Sequence, residues 1–265
     1  DQSAPEYAYI QVYSNIGGGV SFGDYSRYTY SPLYREGVSA NENATWEKAK
    51  KQNLGFDIGI INKLDVTLDL FKEKREGILM PVATPGWVGI AEPTGNIGET
   101  KNHGYEIETT WRDRINRTLD YWIKANYTFS ENRVVYRDDP YKMDDYLKNA
   151  GKPIDVNRPL IVAGYYDSLD DIFNGPTTNN TATQNKLIPG DFLYMDFNGD
   201  GEIQDNYDRV PMKNLSYPLS TYGFSGGLNY KRFGISFNFY GVSQISKQVD
   251  GNLYWDLGDG NSGAY

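Results

Sequence analysis

The sequence predicts an all-β protein whose antiparallel strands cross a membrane as neighbouring staves of a transmembrane β-barrel, with long loops at one end. Three observations predict it. Tyr occurs 23 times, Phe 11, Trp 5 and Gly 28, an enrichment that belongs to strands and tight turns. Six segments alternate apolar and polar residues with period two. The connections between them alternate short and long, as in outer-membrane barrels.

The elements follow in order. A weak alternation at 7–13, from Tyr7 to Tyr13, precedes the rest. A strand over 53–61 sets Leu54, Phe56, Ile58 and Ile60 against Gly55, Asp57 and Gly59. One over 64–74 sets Val66, Leu68 and Leu70 against Asp65, Thr67 and Asp69. Across 103–112, Tyr105, Ile107, Thr109 and Trp111 oppose Gly104, Glu106, Glu108 and Thr110. The longest alternation, 119–130, runs Leu119, Tyr121, Ile123, Ala125, Tyr127 and Phe129 against Asp120, Trp122, Lys124, Asn126, Thr128 and Ser130. Tyr222, Phe224, Gly226, Leu228 and Tyr230 mark 220–230, and Ile235, Phe237 and Phe239 mark 234–242.

No apolar face carries a charge in its middle, where Lys or Arg against lipid costs about 2–4 kcal/mol. A soluble sandwich would alternate in the same way. The connections favour the barrel. Asn62-Lys63, Arg112 to Thr118 and Lys231 to Gly234 are short; Ser14 to Gln52, Arg75 to Lys101 and Val134 to Leu219 are long. Loops of that length at every second connection are unusual in a soluble domain. Tyr105, Trp111, Tyr121, Phe129, Tyr222 and Tyr230 sit near strand ends, where interfacial aromatic girdles belong. The chain opens on Asp1 without Met and stops within a Gly/Asp/Asn-rich stretch, so residues 1–265 are expected to be part of a longer barrel.

Several function classes are disfavoured. A net charge of −9 argues against a nucleic-acid partner. With no Cys there is neither a disulfide nor a thiolate metal site. No apolar run is long enough for a membrane helix. Gly17-Gly18-Gly19 lacks the Lys-Ser/Thr of a phosphate loop. His103 is the single histidine, with no Gly-x-Ser-x-Gly elbow to serve, and reads as structural. Glu106 and Glu108 could suggest a glycosidase pair, but two residues apart on one strand face they read as lining of a polar barrel interior. No catalytic set emerges.

Three phrases carry a family resemblance. Thr45-Trp46-Glu47-Lys48 with Asn53-Leu54-Gly55-Phe56-Asp57, then Asn96-Ile97-Gly98-Glu99 with Asn102-His103-Gly104-Tyr105-Glu106, then Pro189-Gly190-Asp191 with Asp196-Phe197-Asn198-Gly199-Asp200-Gly201, stand in order and at family-like spacing from about Thr45 onward. Together they resemble SusC/RagA-type TonB-dependent transporters. The resemblance implies a barrel of about 22 strands with a plugged lumen, in the bacterial outer membrane. It implies a SusD-like surface lipoprotein as partner, and TonB acting through a plug region that residues 1–265 are not expected to contain. The imported solute would be glycan fragments or peptides. The barrel's closing strands are likewise expected to lie outside this stretch.

The segment 196–203 also matches the opening of a calcium loop. Asp196, Asn198 and Asp200 supply oxygens at positions 1, 3 and 5, Gly201 the sharp turn, and Glu202 a carbonyl. Position 12 is Tyr207, so Asp208 would have to enter through a one-residue bulge. Calcium is the implied ion, and an Asn/Gly/Asp turn without metal is the plain alternative. Residues 134–219 are expected to form a long extracellular loop too poor in apolar residues for a core of its own, ordered instead by that ion. Trp87, Tyr165, Tyr166, Tyr254 and Trp255 could stack on sugar rings or pack loop against loop. The competing reading is a secreted carbohydrate-binding β-module with a dockerin-like calcium loop.

Overall fold

A computed structural model describes residues 8–24, 27–89, 92–178 and 186–247. Six strands form one antiparallel sheet. They are β3 (Lys48–Ile60), β4 (Leu64–Pro81), β5 (Thr94–Asn116), β6 (Leu119–Tyr136), β11 (Ser220–Tyr230) and β12 (Phe233–Ser243). Their order across the sheet is β12-β11-β6-β5-β4-β3, so each strand pairs with its neighbour in sequence across a meander.

All six alternating segments are strands, and four are far longer than the alternation indicated. β5 runs for 23 residues, roughly 75 Å at the usual strand rise, whereas a bilayer needs only about 9–11 residues. Most of the extra length lies at the loop end, where Lys48–Gln52, Glu99–Asn102 and Glu131–Arg133 put polar residues on both faces before the apolar stretches Ile78–Met80 and Val134–Tyr136. There the hydrophobic period vanishes while the backbone ladder continues, from Lys48↔Glu76 through Glu99↔Tyr136.

Two of the short connections are tighter than expected, and the first runs over 61–63 rather than Asn62-Lys63 alone. Ile61 and Asn62 both hold φ near +55°, at 55° and 52°, the left-handed pair that a hairpin matched to strand twist demands. Residues 117–118 and 231–232 close the other two. The long connections shrink. Between β4 and β5 only 82–93 remains, carrying a short 3-10 turn at Gly86–Val88.

The stretch expected as one loop over 14–52 contains a hairpin, β1 (Tyr13–Asp24) with β2 (Arg27–Glu36). The weak strand at 7–13 is corrected. Tyr7 lies outside the described residues, Ala8 to Ile10 form a turn, and only Tyr13 is in a strand. Past Tyr13↔Glu36 the backbone bonds from Gly37 N–H to the Val12 carbonyl (2.8 Å) and from Asn41 N–H to the Ala8 carbonyl (2.7 Å) are four residues apart and do not repeat as a ladder, so 8–12 forms no strand.

Residues 137–219 hold the small elements β7 (Val162–Tyr165), α1 (Leu169–Asn174), β8 (Thr177–Thr178), β9 (Phe192–Tyr194) and β10 (Glu202–Ile203). β7 pairs with β9, and β10 runs parallel to β8. The expectation that this loop lacks a core is overturned. The buried apolar residues among those described, Tyr166, Ile172, Ile203 and Leu215, all belong to it.

Asn96 of the second family-like phrase is a staple. Its amide donates to the carbonyls of Thr45 (2.7 Å) and Gly77 (2.9 Å), while its oxygen accepts from Thr45 N–H (2.9 Å) and the Asn41 amide (3.3 Å). Gly77, at φ 70°, is the bulge where the β4–β5 register shifts. Asn96→Ala is expected to cost about 1–3 kcal/mol by stranding these groups. Faster amide exchange at Thr45, with β11 and β12 unaffected, is the check.

Candidate functional site

Cross-strand register turns the alternation into two chemically opposite faces. One row runs Ile58, Val66, Thr109, Ala125, Phe224 and Phe239 across all six strands. The row toward the loops runs Phe56, Leu68, Ile107, Tyr127 and Tyr222; the row toward the turns runs Ile60, Leu64, Trp111, Ile123, Gly226 and Phe237. These side chains are not covered by the chain: Phe56 is 46% exposed, Ile58 51%, Ile123 40% and Phe239 66%. A soluble module would have enclosed them, since an apolar patch of this size must meet lipid or another protein.

Aromatics bracket the apolar rows. Tyr105 stacks on Tyr127 at 5.9 Å and lies 5.6 Å from Phe129 at the loop end. Trp111 donates to the Tyr121 hydroxyl (3.1 Å) at the turn end. From Tyr121 to Phe129 is roughly 27 Å along the strand, which tilt brings into the range of a barrel's apolar band.

The opposite face is polar. Asp57 accepts from Thr67 (2.8 Å), Asn53 donates to Asp69 (3.3 Å), Arg112 pairs with Asp65 (2.7 Å), and Lys124 with Glu108 (2.8 Å). Glu106 sits between Asp69 and Thr128 in the same register. The two glutamates are thus members of a cross-strand polar wall. The Asn53, Gly55 and Asp57 of the first phrase all face this side, and a Cβ on Gly55 would lie 2.9 Å from the Asp69 carboxylate. His103 stands on the other face, edge-on to Phe129 at 6.5 Å.

The loop residues singled out for metal lie together at one turn. Asp196 accepts from Gly199 (2.7 Å), Asp200 (3.2 Å) and Gly201 (2.7 Å) amides. The Asn198 amide donates to Asp200 (2.9 Å), and Asp200 accepts from Glu202 N–H (2.9 Å). Gly199 and Gly201 hold φ of 76° and 87°, which the tight winding requires. Asp208 is fully buried and accepts from Phe197 (2.8 Å), Asn198 (3.4 Å) and Gln204 (2.7 Å) amides. Among the described residues no three His, Cys, Asp or Glu side chains form a metal-ligand group; these oxygens are directed to the loop's own amides.

The aromatic candidates separate. Trp87 is 86% and Tyr165 61% exposed, the latter 5.2 Å from Phe192. Tyr166 is only 3% exposed, and burial pushes its phenol above the ordinary range, so it cannot offer a ring to a sugar. It anchors Pro189-Gly190-Asp191 instead, through Gly190 N–H to its carbonyl (2.7 Å) and its own N–H to the Asp191 carbonyl (3.0 Å). Tyr254 and Trp255 lie outside the described residues. Sequence reading missed Asp138 and Asp139. Asp138 accepts from Ala83 N–H (2.9 Å), joining the β4–β5 loop to the long one, and Asp139 holds the amides of Asn149 and Ala150.

The family model described as "TonB dependent receptor-like, beta-barrel" matches residues 6–238. The chain belongs to this family. The TonB-dependent receptors P3 and P39 of Formosa agariphila are similar, at 26% identity over 83% of the chain and 23% over 75%. In both the match spans 22% of the receptor's length, so the chain covers about a fifth of these curated relatives. Among solved structures, the RagAB peptide importer in its open-open state superposes with a TM-score of 0.58 at 15% identity, over 91% of this chain and 24% of that one. Its closed-closed state gives 0.55 at 16%, over 90% and 25%. The six-stranded sheet is therefore barrel wall of a TonB-dependent receptor of the outer membrane, with the RagA-like fold and with one face apolar and the other polar.

Proposed function

We propose that this wall belongs to an importer energised by TonB, which takes up glycan fragments or peptides together with a SusD-like surface lipoprotein. The observation that carries the reading is the two-faced sheet, apolar and uncovered outward, polar and ion-paired inward, within a receptor family match over residues 6–238. Residues 137–219, opposite the three short turns, are the extracellular side in this reading, where a lipoprotein would dock and substrate would enter. Exposed Trp87 and Tyr165 there suit stacking on a sugar or peptide ring. The test is uptake of labelled oligopeptides and oligosaccharides by cells with and without the full-length receptor, with a mild-detergent pull-down identifying lipoproteins. Loss of one solute's uptake and recovery of a surface lipoprotein are expected. Unchanged uptake of both classes would refute the reading.

The same proposal includes calcium at Asp196, Asn198, Asp200, the Glu202 carbonyl and Asp208. Ligand spacing supports it, as does Asp208 turning into the loop past Tyr207. Calcium would draw Asn198 and Asp200 out of their mutual hydrogen bond. Calcium addition is expected to slow proteolysis within 196–209 at least fivefold, an effect that Asp196→Ala abolishes. Equal cleavage in calcium and in chelator would leave only the hydrogen-bonded turn.

A further inference from the structure

The outward face changes chemistry where its apolar rows end. Register continues unbroken, so the row beyond Leu54, Leu70, Tyr105 and Phe129 is Gln52, Lys72, His103 and Glu131, and the next is Lys50, Lys74, Lys101 and Arg133. Lys50, Lys72, Lys74, Lys101 and His103 line one groove of about 540 Å³ on this face. Local carboxylates neutralise part of the charge. Glu76 pairs with Lys50 (2.8 Å) and Lys74 (2.6 Å), Glu99 with Lys74 (3.2 Å), and Glu131 with Arg133 (2.8 Å). Lys72 and Lys101 have no ion-pair partner among the described residues, and both are exposed. They sit on neighbouring strands one diagonal step apart, about 7–8 Å between Cα atoms.

The position matters as much as the charge. Lys72 is two residues beyond Leu70, about 7 Å along the strand, so its ammonium reaches the level at which lipid headgroups begin. In a chain of net charge −9 this patch has the opposite sign. A ligand here must be anionic, must lie at the membrane surface and must tolerate an apolar wall directly below. Lysine serves phosphate as a point charge, and basic clusters beside an apolar span select phosphorylated headgroups.

We infer that this groove holds the phosphorylated sugar headgroup of an outer-leaflet lipid of the lipid A class, its acyl chains lying on the Leu54–Leu70–Tyr105 row. The inference rests on the proposed orientation, with 137–219 outside the cell. Lys72 and Lys101 take the phosphate and His103 a headgroup hydroxyl.

The test uses the full-length receptor in mild detergent. Native mass spectrometry should show lipid A-class adducts on the wild type, reduced at least tenfold in Lys72→Ala/Lys101→Ala. Added lipid A should raise the thermal midpoint of the wild type and not of the variant, while inorganic phosphate at equal concentration does neither. Equal retention by the variant, equal binding of dephosphorylated lipid, or the same shift from phosphate alone would overturn the assignment. An epitope in 137–219 reachable only from the periplasm would overturn it too. Both lysines are exposed, so the variant should fold and keep its solute uptake. A wild type that carries no such lipid yet takes up solute strikes only this inference, and a wild type that carries the lipid yet takes up neither solute class strikes only the importer reading.

Discussion

Phe224→Arg is expected to destabilise the folded full-length receptor in a bilayer by about 2–4 kcal/mol, the cost of a guanidinium at the hydrocarbon midplane. Phe224 sits halfway along β11, between Ala125 and Phe239 in the central outward row, and is 44% exposed. Its ring lies 5.8 Å from that of Phe237, and its cross-strand and diagonal neighbours on this face, Ala125, Ile123, Tyr127, Phe237, Phe239 and Gly241, carry no carboxylate. Thr128→Arg is the matched control. Thr128 faces the other way, beside Glu106 and Thr221, and its change should stay within about 0.5 kcal/mol, as polar-surface substitutions do. Denaturant titration of both variants in lipid vesicles measures the difference. Equal effects would mean that the outward face does not meet lipid, and a protein-covered face would have to be sought.

Asp208→Ala is expected to unfold the 196–209 segment locally while leaving the sheet intact. The carboxylate is fully buried and receives amides from Phe197, Asn198 and Gln204, two of them at 2.8 and 2.7 Å. Stranding buried donors costs about 1–3 kcal/mol each, so at least about 3 kcal/mol of local stability should go. Exchange of the Phe197 and Gln204 amides should therefore accelerate about 100-fold or more, at about 1.4 kcal/mol per factor of ten. Asp208→Asn, which keeps one acceptor oxygen, should fall between. Protection of β11 amides should not change. If Phe197 and Gln204 exchange as slowly in Asp208→Ala as in the wild type, the loop is held by Ile203 and Leu215 packing rather than by this carboxylate.

These two sites mark what sequence could and could not say. Period-two alternation located every stave and assigned Phe56, Ile58, Ile123 and Phe239 to one face, because a β-strand's side chains alternate by geometry and lipid penalises charge on that side alone. The family-like phrases were legible as strings. Their reasons were not, since Asn96 bonds to residues 51 and 19 positions away.

The sequence by itself determined the strand class, the two faces, the tight turns and the membership implied by its phrases. Tertiary structure decided the rest. It extended β5 to 23 residues, because backbone ladders persist where both faces are polar and leave no hydrophobic signature. It buried Tyr166, Ile172, Ile203 and Leu215 within residues 137–219, which are scattered in sequence and are covered only once β7 meets β9, β8 meets β10 and Leu215 bridges to Ile245. It also set lysines from three separate segments into one groove, because cross-strand register, unlike alternation, is a property of pairs of strands and cannot be read from any one of them.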